Sequence, residues 1–199
     1  MELEPEAESR PTLHLIVGPN GAGKSTLYEK RVAPATNAPF VNADVIQQQA
    51  AAAGEALDAY EAARRAQGLR LQLMAERRSF ITETVFSHPS KLELIQHAKA
   101  SGYRVVLYHV NVETADICVE RVRIRVALGG HDVPEEKIRQ RYERNQRYIA
   151  DAARLCDVAL IYDSSKAFQP QRWVLTLRDG AVDAVGSDLP PWVQRIYEV

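Results

Sequence analysis

Gly18-Pro19-Asn20-Gly21-Ala22-Gly23-Lys24-Ser25-Thr26 fits the pattern G-x-x-x-x-G-K-[ST] in full. Gly21 and Gly23 let the backbone curl so that its N–H groups converge on phosphate oxygens. The helix expected from Lys24 adds the positive end of its dipole. Lys24 has the reach for the β and γ phosphates of ATP, and the Ser25 hydroxyl is a ligand for Mg²⁺. A chance glycine-rich turn is the alternative. It is disfavoured because the apolar run Thr12–Val17 before the loop reads as a buried strand and the segment after it as a helix. The pattern points to ATP·Mg²⁺ and says nothing about the fate of the γ phosphate.

Two acids fall where short strands are expected to end. Asp44 follows a strand at 40–42, and Glu83 in Thr82-Glu83-Thr84 follows a strand at 80–82. Ligands of an open parallel sheet sit off these carboxyl ends, and transfer to an alcohol uses a carboxylate that accepts the hydroxyl proton. Asp44 is the candidate base, with a helix N-cap as the competing reading. Glu83 is a candidate for gripping substrate hydroxyls or reaching Mg²⁺ through water, against a plain solvated acid. Asn111, not an aspartate, ends the strongest strand pattern, which argues against a motor or transport ATPase.

Arginines crowd a later stretch: Arg121, Arg123, Arg125, Arg139, Arg141, Arg144 and Arg147. Arg121 and Arg125 share one helix face, as do Arg141 and Arg144. Between the two helices lies Gly129-Gly130-His131-Asp132-Val133-Pro134, a turn able to swing. The set reads as a lid that lays guanidinium groups on the transferring phosphoryl. A solvated hairpin paired to Glu120, Glu135, Glu136 and Glu143 is the alternative for any single arginine. His131 and Asp132 read as turn formers.

The elements that must position these groups alternate strand with helix. Strands are expected at 12–17, 40–42, 80–82, 103–112 and 157–162, and helices at 24–31, 58–78, 89–102, 113–128 and 134–155. Pro34 and Pro39 mark a loop, and an exposed hairpin spans 171–185. This order implies an α/β fold, a parallel sheet with helices on both faces, an arginine-bearing helical lid and a C-terminal hairpin. Trp173, Trp192 and Tyr197 are expected to pack the tail onto the body. No linker divides the chain, so a single domain over 1–199 is expected, with residues 1–11 a flexible lead-in.

Composition agrees. The 199 residues are 46% hydrophobic and 26% charged, with net charge −1 from 25 Lys+Arg and 26 Asp+Glu. That balance offers no global attraction to nucleic acid or anionic membrane, so neither is an expected partner. No apolar run reaches the ~18 residues of a membrane span. Cys118 and Cys156 match no metal or redox spacing, and a cytoplasmic location is expected.

The motifs together resemble the zeta-toxin family of P-loop kinases, and more closely its short, compact branch of small ATPases. The resemblance rests on Gly18–Thr26, Val41-Asn42-Ala43-Asp44, Ile81-Thr82-Glu83-Thr84, and Gly129–Pro134 followed by Ile138–Tyr142, and it covers about 13–163. It implies transfer of the γ phosphate of ATP to the 3′-hydroxyl of UDP-N-acetylglucosamine. It implies Lys24 as the phosphate-loop lysine, Asp44 as base, Glu83 with Thr84 on the substrate, and Arg125 and Arg141 as lid arginines. It also implies an antitoxin protein that blocks the ATP site with a helix. The full-length toxins of the family are longer and carry further substrate-binding elements, which are not expected among these 199 residues. Two other functions stay open at this point: a kinase of nucleic-acid ends, and an ATP-dependent binding switch with little turnover.

Overall fold

β1 (Thr12–Val17) alternates half-buried and buried side chains before its last three residues sink wholly into the core. The structure, a computed structural model, describes residues 10–89 and 91–199. Most of the expected lead-in lies outside those residues. At its end Pro11 is buried, and Arg10 donates to the carbonyls of Gly102 and Tyr103.

After the phosphate loop come α1 (Lys24–Leu27), a π-helical stretch (Tyr28–Val32) and α2 (Ala33–Ala35). Pro34 therefore lies inside the helical segment, not in the expected loop. It sits in the first turn of α2, where a missing N–H is tolerated, and the helix before it widens. β2 (Phe40–Val41) leads into α3 (Ala43–Ala52), which the sequence pattern left open. Next are α4 (Ala59–Ala75), capped by the Asp58 carboxylate on Glu61 N, and β3 (Phe80–Thr84). α5 (Lys91–Ala100), β4 (Arg104–Asn111), α6 (Ala115–Ala127), α7 (Glu135–Leu155) and β5 (Val158–Asp163) follow. The chain closes with β6 (Arg172–Arg178), β7 (Ala181–Val185) and α8 (Pro191–Tyr197).

The strands form one seven-stranded sheet in the order β2-β3-β1-β4-β5-β6-β7, parallel through β5 and antiparallel for the last two. On one face Leu13, Leu15, Phe80, Leu107 and Ile161 pack under α4, α5, α7 and α8. On the other, Ile16, Ile81, Val110 and Tyr162 pack under Leu27 and Val32. The expected parallel sheet with helices on both faces is therefore present. The hairpin is less exposed than expected: Val174, Leu175 and Leu177 of β6 are core residues because β5 recruits this strand into the sheet. Only β7 forms an exposed edge.

The tail packs as expected for Trp192 and Tyr197. The indole Nε1 of Trp192 donates to Asp163 Oδ1 at 2.9 Å, and Tyr197 Oη pairs with His109 Nδ1 at 2.7 Å. Trp173 belongs to β6 instead. No helix of the described residues is long and apolar enough to cross a membrane.

Candidate phosphate-binding site

The loop from Gly18 to Gly23 leaves the carboxyl end of β1 with no room for a side chain at Gly18 or Gly21. A Cβ on Gly18 would meet the Val110 carbonyl oxygen at 2.0 Å, and one on Gly21 the Cys118 carbonyl oxygen at 2.5 Å. Both glycines have positive φ, 148° and 80°. Close approach to two neighbouring backbones, as well as curvature, fixes glycine here.

Lys24 is 7% exposed; its ammonium donates to the Pro19 carbonyl at 3.1 Å and stands 3.7 Å from the Glu83 carboxylate. Ser25 donates to the other Glu83 oxygen at 3.3 Å. Parallel pairing of β1 with β3 sets this up, because Ile16 is opposite Glu83 and Val17 opposite Thr84. Glu83 thus bridges the loop lysine and the loop hydroxyl. Burial pulls the Lys24 pKa down, the Glu83 charge opposes that, and the Arg125 and Asp44 charges act on it with opposite signs. Lys24, Glu83, Asp44 and Arg125 therefore share one electrostatic neighbourhood.

Asp44 is exposed and is not the helix cap. Asn42 takes that position, its Oδ1 accepting from Asp44 N at 2.8 Å, because it stands in extended backbone just before the first turn of α3. The Asp44 carboxylate is left without a hydrogen bond or ion pair among the described residues. Thr84, next to Glu83 in the chain, ties its hydroxyl to the following turn, accepting from Phe86 N at 3.1 Å.

The arginines divide. Arg141 Nη1 donates to Asn20 Oδ1 at 3.1 Å, directly on the phosphate loop. Arg125 donates to the His131 carbonyl at 2.6 Å and so folds over its own turn. Arg123 and Arg139 pair with Glu135, and Arg139 also with Asp116, the solvated network weighed as the alternative. α6 and α7 are joined by Val119, Val122, Val133, Ile138 and Tyr142, so both arms of the lid stand on a packed base. The open polar grooves along α7 and α8 contain neither the loop residues nor Asp44, Glu83, Arg125 or Arg141.

The zeta toxin family model matches residues 2–169 of this chain. The chain belongs to the zeta toxin family. An uncharacterised protein of Haemophilus influenzae is 29% identical over 125 residues, 63% of this chain and 88% of its own length. Among solved structures, the AvrRxo1-ORF1:AvrRxo1-ORF2 complex with sulphate ions superposes with a TM-score of 0.68 at 17% identity. That match covers 96% of this chain and 64% of the other, so this zeta toxin family member spans under two thirds of that neighbour. The same pair has been solved with ATP. The PezAT chromosomal toxin-antitoxin system of Streptococcus pneumoniae gives a TM-score of 0.60 at 13% identity, covering 97% of this chain and 79% of that one. At such identities the likeness shows the fold, that of a P-loop kinase.

Three residues next to the loop escaped sequence reasoning as site candidates. Gln171, 6% exposed, donates from Nε2 to the Gly23 carbonyl at 3.1 Å. Ser164 stands beside the same glycine and accepts from Arg121, whose second nitrogen donates to the Ser164 carbonyl at 2.6 Å. Arg121 was visible only as one of a set. Nothing in the sequence ties 164 or 171 to a loop some 140 residues earlier; β5 and β6 do so by lying side by side.

Proposed function

We propose that this chain is an ATP-dependent kinase that transfers the γ-phosphoryl group to a hydroxyl of a small molecule, with UDP-N-acetylglucosamine as the leading acceptor. One observation carries the reading: Lys24, Ser25, Glu83 and Arg141 contact the phosphate loop or one another there, and the Asp44 and Arg125 charges act on Lys24.

Each residue then has a role. The backbone amides of Gly18–Thr26 cradle the phosphates, and Lys24 exchanges Glu83 and the Pro19 carbonyl for phosphoryl oxygens. Ser25 is exposed and has the Glu83 carboxylate beside it, a hydroxyl–carboxylate donor set that suits Mg²⁺. When bound, Mg²⁺ neutralises charge on the β and γ phosphates. Asp44, unencumbered by a cap or an ion pair, accepts the proton of the attacking hydroxyl. Arg125 and Arg141 lie on the two lid arms and stabilise charge on the phosphoryl in flight. Glu83 and Thr84 orient the acceptor.

The AvrRxo1 and PezAT neighbours are complexes or toxin-antitoxin systems. We accordingly propose an antitoxin protein as a partner of this chain, covering the ATP site.

The test is ATP consumption with and without UDP-N-acetylglucosamine, followed by mass spectrometry of the sugar nucleotide. Asp44→Ala should bind ATP as the parent does and lose 10²-fold or more in turnover, on the order expected for a general base. Undiminished turnover by Asp44→Ala would remove it as the base. ATP binding with an unchanged sugar nucleotide would remove that acceptor.

A further inference from the structure

Two further acids stand at strand ends. Asp163 closes β5 and is buried, and Glu113 lies just beyond β4. The register sets Asn111 opposite Asp163, and the Ser164 amide donates to the Asn111 carbonyl at 2.8 Å. Ser165 ties the two acids together: its hydroxyl donates to Asp163 Oδ1 at 2.5 Å and accepts from Glu113 N at 2.9 Å. Ser164 is thus held on both sides. It lies buried against the phosphate loop, where a Cβ on Gly23 would meet its hydroxyl oxygen at 3.3 Å, and Arg121 donates to its hydroxyl and its carbonyl.

α8 seats on the same two acids. Pro190 and Pro191 carry no N–H, so Trp192 offers the first amide of this helix, and Glu113 Oε2 accepts it at 3.3 Å. Arg195 donates to the other Glu113 oxygen at 3.0 Å, and the Trp192 indole to Asp163 Oδ1 at 2.9 Å. That indole is fully buried, its ring 5.3 Å from the His109 ring. A separate tether, Tyr197 Oη to His109 Nδ1, holds the other end of α8. A buried carboxylate that keeps all its donors is fixed in place. Removing one leaves the charge partly unsatisfied, and the strand end shifts to find another donor.

We infer that Trp192 is a positioning residue for the nucleotide: through Asp163 it holds Ser164, and with it Arg121, against Gly23 of the phosphate loop. The inference rests on the reading of that loop as an ATP site and deepens it, because ATP affinity then depends on how the carboxyl-terminal helix is seated while the transfer step does not.

The test compares Trp192→Phe, which keeps a buried aromatic ring and deletes the indole N–H, with Tyr197→Phe, which deletes the hydroxyl of the other tether. Both are assayed as full-length protein, well below their melting temperatures. Trp192→Phe should raise the dissociation constant for ATP·Mg²⁺ roughly fivefold, the effect of one hydrogen bond, and leave turnover at saturating ATP within about twofold. Asp163→Ala should weaken ATP at least as much, and Trp192→Phe added to it should cost nothing more, because both remove the same contact. Tyr197→Phe should lower the melting temperature and leave ATP affinity alone. Without nucleotide, hydrogen exchange at 18–26 and 163–165 should quicken in Trp192→Phe and not in Tyr197→Phe. Unchanged ATP affinity in Trp192→Phe would overturn the positioning role. Equal weakening by Tyr197→Phe would do so too, since lost stability alone would then suffice. Losses that multiply in the double variant would overturn the route through Asp163; should Asp163→Ala fail to fold, the two single aromatic variants still decide. A parent that binds no ATP would count against the ATP reading instead, and the exchange difference between those variants would then decide whether Trp192 positions the loop.

Discussion

Replacing Glu83 by Gln removes the carboxylate facing a nearly buried ammonium and leaves the volume and one oxygen for Ser25. The two charges are 3.7 Å apart, with side-chain exposures of 7% and 13%. At an effective dielectric of ~20 their attraction is about 4.5 kcal/mol, before the desolvation that both incur. Breaking a partly buried pair and stranding its lysine should leave a net loss of about 2–3 kcal/mol, somewhat under the range for fully buried pairs. For a chain of this length that lowers the melting temperature by roughly 4–12 °C. Calorimetry of Glu83→Gln, Lys24→Met and the double variant in nucleotide-free buffer measures both the loss and the coupling. Lys24→Met removes the group left unpaired, so the double variant should be more stable than the sum of the single losses. Independent, additive losses, or a shift under about 1 °C for Glu83→Gln, would refute the ion pair as a support of the empty loop.

Two other outcomes follow from contacts away from the loop lysine. Gln171→Ala deletes the Nε2–H donated to the Gly23 carbonyl. One such bond contributes about 1 kcal/mol, so the dissociation constant for ATP should rise roughly fivefold in a binding titration with little change in the fold. His109 is fully buried and held neutral, its pKa lowered to about 3 by desolvation. Below pH 6.5 the unfolded chain takes a proton there that the folded chain refuses, so stability falls as pH falls. The loss from pH 7 to pH 5 is about 2 kcal/mol, and urea titrations should find it in the parent and not in His109→Gln.

Much of the fold was legible because its signals are local. β4 is a run of β-branched and aromatic residues, and the glycine-lysine loop carries its own context on either side. α3 was less legible: its signal is the single Asn42 cap, and its Gln- and Ala-rich composition has no apolar stripe to betray a helix. β6 looked like half of an exposed hairpin because the sequence cannot say that β5 needs a partner on its far edge. The division among arginines was also hidden. Arg123 and Arg139 differ from Arg125 and Arg141 only in which way they face, and that depends on how α6 packs on α7.

The acid that accompanies the phosphate loop shows why topology decides what spacing cannot. The strongest strand pattern ends in Asn111, and the absence of an aspartate there argued against a motor or transport ATPase. β4 does flank β1, but Asn111 follows His109 on the face under α8, and its amide is fully buried with no partner among the described residues. An ionised carboxylate at that position would face the same burial, which is costly for a charge. On the other flank of β1, the register of β3 sets Glu83 opposite Ile16, within hydrogen-bonding reach of Ser25. The carboxylate that the loop lysine and hydroxyl both meet therefore comes from β3 and not from the end of β4.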